Sequence, residues 1–131
     1  METKKDIENI EDIKLFVNEF YQKIKRDDLL APIFFDKIPG DWQPHLDKMY
    51  QFWNAALFGV VGYSGNPFGK HSNMKISKVH FSIWLFLFKD TINEHFVGPI
   101  AENAKWRAEI MAEAFLKKLT SNIENQSKTI L

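Results

Sequence analysis

Four side chains are the candidates for chemistry in this chain: Tyr21, His45, His71 and Trp84. His71 ends the stretch Asn66-Pro67-Phe68-Gly69-Lys70-His71, where proline and glycine break regular structure on the way to one imidazole. A histidine delivered this way reads as a metal ligand or as an ordinary loop histidine, and position alone leaves both open. Trp84 follows thirteen residues later in an apolar run. An indole only donates hydrogen bonds, a phenol donates or accepts, and an imidazole does either according to its tautomer. Such a set suits one small polar ligand.

The composition narrows what these groups serve. A chain of 131 residues is one domain with room for a core. Lys+Arg and Asp+Glu both number 17, so net charge points to neither nucleic acid nor an anionic membrane. No apolar run approaches the roughly 18 residues of a spanning helix, no basic-then-apolar leader is seen, and a cytoplasmic setting is the default expectation. The absence of cysteine excludes disulfides, thiolate metal sites, cysteine nucleophiles and covalent haem attachment. Aromatic residues make up 15%, with twelve Phe. They suit walls against a flat ligand and equally suit an aromatic core.

Helical periodicity positions these groups. A first helix is predicted after Asn9, with Ile13, Phe16, Val17, Phe20, Tyr21 and Ile24 on its inward face. Tyr21 lies within that stripe, either carried inside or at its edge with the hydroxyl in water. Asp27-Asp28 opens a short turn that Pro32 is expected to end or kink. Asp41 is the expected cap of a second long helix, with Pro44 in its first turn and His45/Leu46, Met49, Phe52/Trp53 and Ala56/Leu57 facing inward. On such a stripe His45 reads as a site residue or as a boundary histidine bonded to a carbonyl. Residues 59 to 76 read as loop. Ser77 caps a helix over about 78 to 95, lined by Val79, Ile83, Trp84, Leu87, Phe88 and Ile92. Pro99 begins the last helix, carrying Ile100, Ala104, Ala108, Met111, Ala112, Phe115 and Leu119. Residues 1–10 read as an extension and 121–131 as a frayed polar tail. The fold class is all-α.

No phosphate-binding glycine motif, zinc-protease helix motif or calcium loop is present. His45, His71, His80 and His95 have no i, i+4 pairing, so spacing does not indicate a zinc site. A haem site fits better. It needs one axial ligand, for which His71 is placed, with aromatic and aliphatic walls and a few cations at the propionates.

The chain resembles the truncated haemoglobins, most of all their third subgroup. The resemblance rests on blocks in order: Phe20-Tyr21, Asp27, Leu30-Ala31-Pro32-Ile33-Phe34, Trp42-x-x-His45-Leu46, Phe52-Trp53, Tyr63-x-Gly65-x-Pro67, His71, and His80-Phe81-x-x-Trp84-Leu85-x-Leu87-Phe88. It spans about Ile13 to Leu119, and the paired glycines of the other subgroups are missing. It implies a single globin domain, a two-over-two helical sandwich around non-covalent haem b (protoporphyrin IX iron). It makes His71 the proximal iron ligand, and Tyr21, His45 and Trp84 the distal groups acting on the bound gas. Phe34, Met49 and Phe52 would pack on the haem. Lys48 and Lys70 match positions near a propionate, though either reads as well as a solvated charge. His80 belongs to the pattern without a ligand role.

The implied function is binding of O2, NO and CO in a polar pocket that holds O2 tightly. That favours nitric oxide detoxification or peroxide chemistry, with a reductase as partner, over oxygen transport in bulk. Lys70-His71-Ser72-Asn73 offers no carboxylate to the second nitrogen of His71, so a backbone carbonyl partner is expected instead of a peroxidase-like one. Two other readings stand beside this one: a haem-based gas sensor acting through a partner, and a cofactor-free helical interaction module.

Overall fold

The computed structural model describes residues 3–62 and 77–130, with side chains through Lys118. Among them are five helices: α1 (Ile10–Arg26), α2 (Leu30–Lys37), α3 (Gln43–Phe58), α4 (Lys78–His95) and α5 (Pro99–Ile130). Pair α1–α3 stacks on pair α4–α5 through α1–α4 and α3–α5 contacts, while α2 sits against α1 and α4. The described residues contain no β-strand, only a bridge between Lys5 and Phe96.

The helix ends follow local chemistry. Asn9 Oδ1 accepts the Asp12 amide at 3.1 Å, satisfying an otherwise unpaired donor of α1. Glu11 and Asp12 lie in its first turn and Lys23, Lys25 and Arg26 in its last, matching the helix dipole. The Asp27 carboxylate takes the amides of Leu29 and Leu30 at 3.0 and 2.9 Å and so starts α2. Here an expectation is corrected. Pro32 neither ends nor kinks the segment but sits in the first turn of α2, where no intrahelical amide is lost, and the helix runs on to Lys37. Asp41, the expected cap, stands one residue before the actual cap position Trp42, and its Oδ1 still accepts the Gln43 amide at 3.0 Å. Gly59, at φ +68°, closes α3 in the left-handed region, and its amide bonds the Ala55 carbonyl at 2.9 Å.

His80 has a structural task at the start of α4. Its Nδ1 accepts the Ser77 amide at 3.0 Å and lies 3.0 Å from the Ser77 hydroxyl. Val79, expected on the buried face, is 58% exposed. It lies in the first turn of α4, beyond the neighbouring helices' cover. The backbone of α5 is helical to Ile130, where a frayed tail was expected. No proline or glycine follows Pro99, so nothing after it interrupts the helix.

The described residues ahead of α1 are built into the fold. Ile7 is buried in the core. The Asp6 carboxylate caps α5, accepting the amides of Ile100 at 2.9 Å and Ala101 at 2.8 Å. Gly98, at φ +140°, permits this approach, since a Cβ there would lie 2.5 Å from Asp6 Cγ.

Much of the core is aromatic. Trp53 stacks on Phe88 at 4.9 Å, and Trp84 is near-parallel to Phe88 at 6.0 Å. Phe16 and Phe20 meet Phe88 edge-on at 5.8 and 5.3 Å. These offset and edge contacts join α1, α3 and α4 in the geometry that ring quadrupoles favour.

Candidate functional site

The stripe on α1 carries Tyr21 inside, and the stripe on α3 brings His45 to meet it. The Tyr21 hydroxyl and His45 Nε2 are 3.0 Å apart, with the two rings edge to face. Tyr21 is buried, and burial pushes its pKa far up, so the phenol stays protonated and keeps a hydrogen to donate. The ring is further fixed by Phe20 at 5.2 Å, Trp42 at 6.0 Å and Phe34 at 6.3 Å.

The Phe34–Phe35 pair divides cleanly. Phe34 is 5% exposed and touches Tyr21, while Phe35 is 48% exposed and leans on Trp42 at 5.3 Å. Met49 and Phe52 follow His45 along α3, half-buried against the core, with Phe52 edge-on to Trp53 at 5.2 Å. Trp84 on α4 is also half-buried, joined to Tyr21 through Phe20, which meets Trp84 edge-on at 5.6 Å. Lys48 is exposed on α3. His71 and Lys70 lie outside the described residues.

Trp42 received no site role from the sequence, yet it is buried against Tyr21 and carries Lys25 Nζ 4.6 Å over its ring. Its place three residues before His45 was the available signal, because i and i+3 share a helix face.

These residues fit a haem. A neutral buried phenol and an imidazole meet where α1 faces α3, and Met49, Phe52 and Trp84, packed against the same core, are covered only in part. A flat apolar cofactor that presents one polar position calls for this combination.

Helices stacked two over two, without strands among the described residues, place the fold in the globin class. Residues 6–126 match the family model described as bacterial-like globin. The chain is 31% identical over 115 residues to the group 3 truncated hemoglobin of Campylobacter jejuni, an alignment covering 85% of this chain and 91% of that protein. It also matches the crystal structure of a group III truncated hemoglobin from Campylobacter jejuni with a TM-score of 0.82 and 31% identity, over 89% of this chain and 95% of that one. The chain therefore belongs to the truncated haemoglobins and is most like their third group. This family binds diatomic gases at haem. No helix among the described residues is long and apolar enough to cross a membrane.

Proposed function

We propose that this chain holds haem b without a covalent link, through His71, and retains O2 tightly enough to serve nitric oxide or peroxide chemistry. Transport in bulk needs ready release and fits the donor set poorly. The observation that carries this reading is the contact between the buried Tyr21 hydroxyl and the half-buried His45 imidazole.

Bound haem would supply an iron able to bind a diatomic gas and exchange electrons with it. The protein's residues decide how long the gas stays. With a proton on Nε2, His45 donates to the Tyr21 oxygen and turns the phenol hydrogen toward the pocket. With Nε2 bare, the phenol donates to the imidazole instead. Trp84 can act only as a donor. A hydrogen bond to an acceptor that gathers charge is worth roughly 1.5–3 kcal/mol, so two of them slow escape by orders of magnitude. Met49, Phe52 and Phe34 supply apolar walls that keep water from competing for those donors. Lys48 and Lys70 are candidate partners for the propionates. The absence of cysteine agrees with non-covalent retention.

Two measurements test the reading. The purified protein should show a Soret band that His71→Ala weakens; unchanged haem retention and ligation would reject His71 as the ligand. The oxygenated protein, supplied with a cellular reductant, should convert nitric oxide to nitrate faster than free solution does. No acceleration with either nitric oxide or peroxide would remove the redox role.

A further inference from the structure

On the outer seam between α1 and α4, far along both helices from their capped starts, three ligating side chains converge. Glu19 comes from α1, and Glu94 and His95 from the last turn of α4. One ligand atom from each lies within 4.8 Å of the others. His95 Nε2 contacts Glu19 Oε2 directly and is 3.8 Å from Glu94 Oε2. We propose that Glu19, Glu94 and His95 form a surface site for a divalent transition metal of the zinc class, clamping the end of α4 to α1.

Three physical features support it. The donors are one imidazole and two carboxylates, a set that suits zinc, with water left to complete the shell. Tetrahedral zinc bonds of about 2.0–2.2 Å place ligand atoms roughly 3.3–3.6 Å apart, so the set closes if the contacting His95–Glu19 pair opens slightly and the half-exposed Glu94 turns in. Lys23 then acts as an outer partner. Its ammonium holds Glu94 Oε1 at 2.8 Å and Asp90 at 3.1 Å, and the other oxygen of Glu94 is the one nearer His95. The helix adds a field: the carbonyl end of α4 carries partial negative charge, which favours a cation there. Direct pairing of His95 with Glu19 does not need an ion, and that is the alternative the test must exclude.

The site is independent of the haem reading and would exist without it. Zinc chloride titrated into the purified chain by calorimetry should reveal one site, and zinc should raise the melting temperature. Replacing His95 by Ala or Glu94 by Gln should weaken that site more than about tenfold, because even outer-shell partners are worth about 10–100-fold. Glu94→Gln changes a half-exposed side chain and keeps the test available if His95→Ala fails to fold. No zinc binding by the unaltered chain, or an equal isotherm in both variants, would overturn the proposal and leave the His95–Glu19 contact as a plain interhelical pair.

Discussion

The hydroxyl of Tyr21 and Nε2 of His45 stand 3.0 Å apart, one from α1 and the other from α3. The hydrogen bond ties the two helices where the gas-binding chemistry of the family is expected. Around it, Phe20 links Tyr21 to Trp84, so the three donors share one aromatic framework.

The ionisation of Tyr21 makes this relationship measurable in stability. Its folded pKa is raised by burial, while in the unfolded chain it titrates near 10. The contribution is full below that value. It is lost as pH rises past about 10, where the unfolded state sheds the proton that the folded state keeps. Urea unfolding from pH 8 to pH 11 should show a decline that is shallower in Tyr21→Phe. Equal slopes would mean that the phenol is not held neutral.

Asp12 gives the opposite sign. Burial works to raise its pKa, but the hydrogen bond from Lys5 and those from the Glu8 and Asn9 backbone outweigh that and lower it. Its contribution is present above about pH 4 and is lost as pH falls through the lower folded value. Acid unfolding monitored by circular dichroism should begin at higher pH for the parent chain than the charge-free Asp12→Asn variant would suggest from its own neutral-pH stability. An identical pH dependence in the two would contradict this.

The two neighbouring phenylalanines should separate on mutation. Phe34→Ala empties a buried position against Tyr21 and is expected to cost about 3–5 kcal/mol. Phe35→Ala removes a half-exposed ring and should cost about 1 kcal/mol or less. Denaturant titration of both variants checks the ordering, and a reversed order would place the wrong ring inside.

Much of this is legible in the sequence. Spacing of three and four marked Ile13, Phe16, Val17, Phe20, Tyr21 and Ile24, and all six are buried. Periodicity identifies a face but not where its partner stops, which is why Val79 was expected inside and lies outside. Proline gives the same local signal at a helix end and in a first turn, so Pro32 was misread. Polarity suggested fraying after residue 120, although polarity alone does not unwind a helix. The Asp6 cap on α5 spans 94 residues of sequence, and the Tyr21–His45 bond spans 24. Neither pairing is written in local pattern. The resemblance implied that Tyr21 and His45 share the distal side, but their bond and the Asp6 cap come only from the fold.

Asp6 therefore offers a test at a distance. Asp6→Ala should weaken α5 at its start by about 1 kcal/mol, the usual worth of a cap. Gly98→Ala should do more harm, since it combines a φ of +140° with a Cβ 2.5 Å from Asp6 Cγ. Thermal unfolding of the two variants measures both, and a Gly98→Ala protein as stable as the parent would refute the close approach.

The most direct measurement of the central claim is the O2 dissociation rate of the haem-loaded protein by stopped flow, compared with Tyr21→Phe and Trp84→Phe. Loss of one donor worth roughly 1.5–3 kcal/mol should speed release about tenfold to a hundredfold. Rates unchanged in both variants would show that neither Tyr21 nor Trp84 holds the gas.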